Sequence, residues 1–499
     1  MAYYRSGTQK PLEAGNGIDI TDETISLKQA STTEFGAAKI DGTSISVNAS
    51  GQIKKLKTQT VTLSANTSEI TAGSTDVITA TASAGGTLSV SSSDSSVATA
   101  SVSNREVTIT GVGEGNCVIT VTASATGDYG VGTATIDTTV TVVSIYGAEW
   151  DGSSSPAWTR TDGAVGFADP NPYYSGMSGS PSSPFDNIMP WSGMRIVEDS
   201  VAGTLVEIPK FYYKWTRNGS AMKLQISMNQ EDGFLCSPAH ADRGDGIGER
   251  DYAYIGRYHW GDTVCKSASG QKPKTEVTRG YARINIHNLG LNVWQNDYAM
   301  RWTVNMLYLV EFANWNSQLK IGYGCGDQSS TGTMGYTNNM SYHTGTTQAS
   351  RTTYGLGTQY RYIEGWWDNV CDWVDGIYFN STSIYGIKNP ADFSDTSGGT
   401  NLGTRTAASG YIREWTNPSV SGFEYAIYPN DVNSSLDGTT YIGDFCSYSW
   451  SGVVLCTGGN FYIQDQGFGA FYFDGYAATS KSTSVGSRLM VLPPSRLTT

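Results

Sequence analysis

Seven cysteines and four histidines are the residues best able to do metal or redox chemistry, and their spacing argues against both. The cysteines lie far apart, with no Cys-x-x-Cys pair and no histidine at ligand spacing, at positions 117, 236, 265, 325, 371, 446 and 456. The histidines, at 240, 259, 287 and 343, have no serine or cysteine beside them in a nucleophile motif. The sequence therefore predicts mostly reduced, buried cysteines that pack as small apolar side chains, and ordinary surface or core histidines.

Carboxylates are the next candidates, for hydrolysis or for cation binding. A glycosidase needs two of them at a fixed separation across a cleft, and nothing singles out a pair among the 45 Asp and Glu residues. Glu364, Asp368, Asp372 and Asp375 could together bind Ca²⁺, because carboxylate oxygens suit that ion. They lack the Asp-x-Asp-x-Asp-Gly spacing of a calcium loop, so we expect them to cap turns or face water. We predict no catalytic residue and, apart from this Ca²⁺ alternative, no metal or cofactor.

The tryptophans among these carboxylates, Trp366, Trp367 and Trp373, are expected to fill the core. Near the end of the chain, Arg488 is a candidate buried partner for one of the carboxylates. A planar guanidinium can satisfy several acceptors at once, which predicts a structural role for this arginine.

Between positions 446 and 481 the chain is rich in the residue types that dominate binding loops. Aromatic rings give large contact area at low rotamer entropy, small polar residues adapt their hydrogen bonds, and rings also stack on sugars. The predicted binding residues are Tyr448, Trp450, Asn460, Tyr462, Gln464, Asp465, Gln466, Tyr472, Asp474 and Tyr476. We expect "GFGAFYFDGYAATSKS" to be the exposed edge of this surface and "VGSRLM" to be a final strand in the core; the alternative is that the rings are only core.

Composition narrows the function classes. The formal net charge is -13 and the basic residues are scattered, which disfavours nucleic acid as a partner. No basic segment followed by an apolar core opens the sequence, and no apolar run approaches the roughly 18 residues of a membrane span. We therefore expect neither export by a signal peptide nor membrane insertion.

Three domains are expected, and together they should be mainly β. All 13 tryptophans fall at or after Trp150, and proline is absent between Pro11 and Pro156, so a boundary is expected near 145–150. Residues 1–55 show short β patterns with glycine turns. We expect this segment to fold only by assembly with other copies or with a partner, and the alternative is a disordered leader. Residues 56–145 alternate apolar and polar residues with frequent turns, which predicts a β-sandwich.

Residues 146–499 form the third predicted domain, an α+β domain with few helices and long loops. One helix is expected after the capping pair Asn296-Asp297, because Trp302, Met306, Leu309, Val310 and Ala313 recur at helical spacing.

Several phrases resemble phage tail proteins. "GNGIDIT" and "GAAKIDGTSISV" are similar to the virion-proximal ends of tail fibres. "SSVATASVSNREVTITGVGEGNCVITVTA" resembles bacterial immunoglobulin-like domains of group 2, which implies a spacer or, as the alternative, a weak glycan-binding module. "EIPKFYYK", "MLYLVEF", "NVCDWVDGI" and the closing "GSRLM" resemble tail and minor structural proteins that carry a C-type-lectin-like domain of the formylglycine-generating-enzyme type. The oxidase of that superfamily uses cysteines near its C-terminal end, whereas residues 458–476 contain none.

These resemblances imply a non-enzymatic, virion-located receptor-binding protein of a tail fibre or tail tip. Its implied partners are a host bacterial surface glycan or protein receptor at the C-terminal face and other tail or baseplate proteins at the N-terminal region, in a homotrimer. In some members of the family a retroelement diversifies the receptor-facing surface. The alternatives are a bacterial surface adhesin and a tail-associated enzyme that degrades polysaccharide.

Overall fold

A computed structural model describes residues 56–142, 145–325, 328–355, 357–433, 443–449, 453–462 and 467–497, together with the backbone of five short strands before residue 56. The chain divides into two compact units, Met1–Val143 and Ser144–Thr499. The division lies close to the boundary expected near 145–150. Strands dominate both units, which confirms the prediction of a mainly β, multidomain protein.

The N-terminal strands are short. Their bounds are β1 Tyr3–Arg5, β2 Thr8–Leu12, β3 Thr24–Ser26, β4 Ile45–Val47 and β5 Gln52–Lys55. β1 pairs with β2, and β5 pairs with both β3 and β4. The predicted attachment and oligomerisation surface of residues 1–55 lies outside the described side chains.

Eight further strands of the first unit form two four-stranded sheets. Their bounds are β6 Val61–Leu63, β7 Thr67–Thr71, β8 Thr75–Ala82, β9 Leu88–Ser92, β10 Ala98–Ser103, β11 Glu106–Gly111, β12 Gly115–Ala123 and β13 Gly132–Thr141. The strand orders are β10-β11-β8-β6 and β7-β13-β12-β9. Alternate residues such as Val107, Ile109, Ile119, Val121 and Ile136 are buried in one shared core. The period-two pattern therefore forms a sandwich.

The second unit contains the remaining elements. Its strands are β14 Ile145–Trp150, β15 Thr159–Asp162, β16 Tyr173–Tyr174, β17 Arg195–Asp199, β18 Gly203–Pro209, β19 Tyr212–Asn218, β20 Ala221–Ser227, β21 Leu235–Cys236, β22 Tyr252–Gly256, β23 Val293–Gln295, β24 Gly345–Thr346, β25 Thr358–Tyr360, β26 Ile363–Glu364, β27 Cys371–Asn380, β28 Ser383–Gly386, β29 Thr400–Thr404, β30 Gly410–Thr416, β31 Tyr428–Asn433, β32 Phe445–Ser447, β33 Val454–Thr457, β34 Phe473–Tyr476, β35 Val485–Ser487 and β36 Leu489–Val491. The α-helices in the described residues are α1 Arg279–His287, α2 Tyr298–Phe312 and α3 Ser317–Lys320. Short 3-10 helices span Pro184–Asn187, Trp191–Gly193 and Pro390–Asp392.

Three larger sheets organise this unit. Two have five strands each, in the orders β15-β14-β20-β19-β21 and β17-β18-β22-β36-β23. The third follows the order β29-β28-β27-β33-β34-β32-β30-β31, with β35 also paired to β27. The C-terminal strands β34, β35 and β36 thus enter two different sheets. The single final strand predicted for "VGSRLM" is therefore two strands, β35 and β36, which are both buried and are divided at Arg488.

Helix α2 is buried along its whole length, and it confirms the helix predicted from the sequence. Asp297 is its N-cap, and the carboxylate accepts a hydrogen bond from the Met300 amide at 2.8 Å. Residues on every face of the helix are buried, which is typical of a helix inside a core. The interior position lets α2 present Arg301 and Asn305 to the C-terminal segment.

Candidate functional site

The segment from Gly467 to Phe471, inside the predicted binding region, is held through its own backbone. Every amide of the five residues donates to a buried side chain. Gly467 and Phe468 donate to Gln318 Oε1 at 2.9 and 3.3 Å, Gly469 and Phe471 donate to Asp444 at 2.9 and 2.7 Å, and Ala470 donates to Ser317 Oγ at 2.9 Å. Because buried amides without acceptors are costly, these contacts define one conformation of the segment.

The acceptors come from α3 and from the residue before β32. Ser317 and Gln318 lie in the single turn of α3, whose N-cap Asn316 accepts from the Leu319 amide at 2.9 Å. Asp444 is fully buried. Burial raises the pKa of its carboxyl to about 7, against the lowering effect of the two amides and of the Arg301 charge.

Helix α2 fixes the same segment from the carbonyl side. The Ala470 carbonyl accepts from Arg301 Nη2 at 2.9 Å and from Asn305 Nδ2 at 3.4 Å. The Arg301 guanidinium carbon lies 4.0 Å from the ring centroid of Trp366, a cation–π contact. Burial lowers the pKa of this arginine to about 9. Amides and carbonyl together hold the segment between α2, α3 and Asp444.

A glycine pair brings the preceding loop close to this segment. Gly458 has a φ of +79°, in the region that glycine adopts without strain. At Gly459 a Cβ atom would lie 2.3 Å from the Phe468 carbonyl oxygen and 2.7 Å from that of Trp367. Only glycine fits at this second position without a shift of the backbone.

Tyr462 is the predicted binding residue that the structure places most clearly at the surface. Its side chain is 74% exposed. Its backbone is held in place, because the Tyr462 amide donates to Asn460 Oδ1 at 2.9 Å. The neighbouring Phe461 amide donates to the Asn369 carbonyl, and the Phe461 carbonyl accepts from the Gln328 amide. Trp450, Gln464, Asp465 and Gln466 lie outside the described residues.

Tyr472 and Asp474 are buried, so the prediction that they are exposed contact residues is wrong. They are 6% and 7% exposed, and the Tyr472 hydroxyl donates to Asp474 Oδ2 at 2.8 Å. Burial raises the pKa of Asp474. Because β34 runs inside the largest sheet, the aromatic run "FYFDGY" packs in the interior instead of at an edge.

The side chains of the other three predicted residues are buried or half-buried. Asn460 is 8% exposed, so it supports Tyr462 and offers little surface of its own. Tyr476 is half-buried, with its ring edge-on to Trp373 at 5.4 Å between centroids. Tyr448 is half-buried, and its ring centroid lies 4.6 Å from the guanidinium carbon of Arg405. Among the predicted binding residues that the structure describes, Tyr462 is therefore the most exposed.

The acidic group Glu364, Asp368, Asp372 and Asp375 does not face water, which was one of its two expected roles, and Glu364 and Asp368 instead accept hydrogen bonds from backbone amides. All four are at most 1% exposed. Their separate partners are Gly335 and Thr337 for Glu364, Tyr336 and Thr358 for Asp368, His259 and Arg488 for Asp372, and Arg283 for Asp375. In the described part of the chain, no three His, Cys, Asp or Glu residues are placed to hold a metal ion. Trp366, Trp367 and Trp373 are buried and Arg488 binds Asp372, as predicted.

The cysteines differ from the prediction at four positions. Cys371 in β27 and Cys456 in β33 form a disulfide between neighbouring strands. Cys265 is exposed and Cys236 is partly exposed, whereas Cys117, Cys325 and Cys446 are free and buried. The pairing could not be read from sequence, because 85 residues separate the two sulfurs.

Comparison of the sequence with models of known protein families gave no match, and neither did comparison with curated proteins. No described helix is both long enough and apolar enough to cross a membrane.

Proposed function

We propose that the chain is a receptor-binding protein of a phage tail fibre or tail tip, which attaches the virion to a bacterial host. The observation that carries the proposal is the exposed ring of Tyr462, which precedes in sequence a segment held by five side-chain hydrogen bonds. An aromatic side chain whose backbone is already held in place loses little conformational entropy when it binds. The sequence resemblances to tail proteins support the same function.

In this proposal residues 146–499 contact a host surface glycan or protein receptor through Tyr462 and the neighbouring loop residues. Residues 56–145 act as a spacer, and residues 1–55 join other tail or baseplate proteins in a homotrimer. A lectin-like fold of the second unit and diversification of the loop by a retroelement belong to the same proposal. The protein then binds without catalysis, nucleic acid or membrane insertion.

The test is binding of the fluorescently labelled full chain to a panel of bacterial cells. On any strain that the chain binds, we expect Tyr462→Ala to reduce affinity roughly tenfold, as for a central aromatic contact. Tyr281→Ala is the matched control, because Tyr281 is a 49% exposed tyrosine on α1. Equal binding by both variants would remove Tyr462 from the receptor site.

Two further measurements separate the alternatives. Release of reducing ends from host capsule or wall polysaccharide by the purified chain would favour the polysaccharide-degrading enzyme. Immunogold labelling of bacterial surfaces, with none on phage particles, would favour the adhesin.

A further inference from the structure

A cleft separate from Tyr462 lies in the second unit, with a volume of about 240 Å³. Its wall includes Tyr213 of β19 and Tyr425, which precedes β31. Its polar lining includes Arg243, Glu249, Lys388 and Glu424. Drug-sized ligands occupy pockets of about 300 Å³ or more, so the cleft fits a smaller molecule, about the size of one ring with its substituents.

A buried guanidinium in the lining has an unused donor. Arg243 is 3% exposed; its Nε donates to the Lys388 carbonyl at 2.8 Å and its Nη2 to the Asp297 carboxylate. Its Nη1 is buried and has no acceptor among the described residues. A buried donor without a partner is costly, and an acceptor oxygen on a bound molecule would satisfy it.

The charges in the lining disfavour an anionic ligand. The carboxylate of Asp297 offsets the charge of Arg243. Glu249 lies 3.7 Å from the ammonium group of Lys210, so Asp242 and Glu424 remain against the single ammonium group of Lys388. Carboxylates accept hydrogen bonds and donate none when ionised, so they favour a ligand with several hydroxyl donors.

The accessible apolar part of the lining lies at the rim, and the two tyrosines lie behind it. Tyr213 and Tyr425 are almost fully buried, and burial raises the pKa of both phenols, which therefore stay neutral. Leu235, 40% exposed, adds an apolar contact at the rim. Apolar walls with a few convergent polar groups are typical of small-molecule sites.

We propose that this cleft binds one neutral sugar unit. The carboxylates of Asp242, Glu249 and Glu424 accept from its hydroxyls, Arg243 and Lys388 donate to its oxygens, and Leu235 at the rim packs on its C–H face. A single shallow site of this size gives a dissociation constant on the order of 1 mM. The inference does not depend on the receptor-binding proposal, because the site is defined without Tyr462.

The test is saturation-transfer NMR and calorimetry on the full chain with glucose, galactose, mannose and N-acetylglucosamine as neutral probes and glucuronic acid as the anionic probe. We expect at least one neutral sugar to bind and glucuronic acid to bind at least about tenfold more weakly, because the lining carries excess negative charge. Binding of none of the neutral sugars, or equal binding of glucuronic acid, would overturn the proposal.

Two variants locate the site. Glu424→Gln and Glu249→Gln should each weaken sugar binding by about tenfold, since a charged acceptor gives the stronger hydrogen bond. The Glu249 side chain is 42% exposed, so its replacement leaves the fold intact even if Glu424→Gln does not. Glu198→Gln is the control on β17, outside the cleft lining. Unchanged binding in both cleft variants would contradict the assignment.

Tyr462→Ala separates this inference from the receptor proposal. The variant should keep full sugar affinity even where its binding to cells is lost. Loss of sugar binding in Tyr462→Ala would place the sugar at the receptor surface and overturn the cleft assignment.

Discussion

At the scale of single residues, Arg488 shows how one side chain connects several parts of the second unit. It is fully buried, donates to the Gly256 and Glu364 carbonyls at 2.8 Å each, and has Nε 3.3 Å from Asp372 Oδ2. Burial raises the pKa of Asp372, but its contact with His259, which includes a hydrogen bond, and the charge of Arg488 outweigh burial and lower the pKa overall. The guanidinium therefore donates to several acceptors at once, and no neutral side chain could satisfy all of them.

Arg488→Leu should lower the free energy of unfolding by about 3–5 kcal/mol, because the Asp372 carboxylate stays buried after losing a partner. Urea unfolding of the full chain measures the change. The control is Arg195→Leu. The Arg195 side chain is 44% exposed, and its partner Glu207 keeps Arg496, so a loss of about 1 kcal/mol or less is expected. Equal losses in the two variants would contradict a structural role specific to Arg488.

At the scale of elements, the segment Gly467–Phe471 depends on side chains of other elements for its shape. Asp444 binds two of its amides, and the raised pKa of that carboxyl, about 7, makes this contact sensitive to pH. Below about pH 4 the carboxyl is protonated in both the folded and the unfolded chain. Between about pH 4 and 7 only the unfolded chain releases the proton, so the Asp444 contribution to stability falls as pH rises.

Asp444→Asn should remove this part of the pH dependence. The asparagine side chain cannot ionise. Its nitrogen cannot accept a hydrogen bond from a backbone N–H, so one hydrogen bond is lost at a cost of about 1–3 kcal/mol. Urea unfolding of both proteins across pH 4 to 7 gives the comparison, and the wild-type advantage should shrink as pH rises. A difference that is constant across this range would show that Asp444 ionises normally in the folded protein.

At the scale of the whole molecule, assembly is the property to test. Strands β1 to β5 have three to five residues each, and strands so short need other chains or sheets for stability. A trimer would also multiply weak receptor sites through avidity. Sedimentation equilibrium of the full chain should give three copies of 53.5 kDa, about 160 kDa.

Removal of residues 1–55 should dissociate the trimer, because the proposal places assembly in that region. The shortened chain should sediment as a monomer. A full chain that sediments at 53.5 kDa would overturn the trimer.

The sequence by itself determined the mainly β class, the sandwich pattern of residues 56–145 and helix α2, because these depend on local periodicity and capping. It also identified Arg488 as a buried partner of a carboxylate. Among the predicted binding residues it could not separate exposed Tyr462 from buried Tyr472, since aromatic residues are common in both cores and binding surfaces.

Only the tertiary structure decided which residues act together. Gln318 meets Gly467 across 149 positions of sequence, and Arg243 meets Lys388 across 145. Neither contact can be predicted from a sequence pattern, because the distance between such residues depends on how whole sheets and helices pack. Local physics selects the elements, but long-range packing decides which side chains are buried, which are paired and which can bind a ligand.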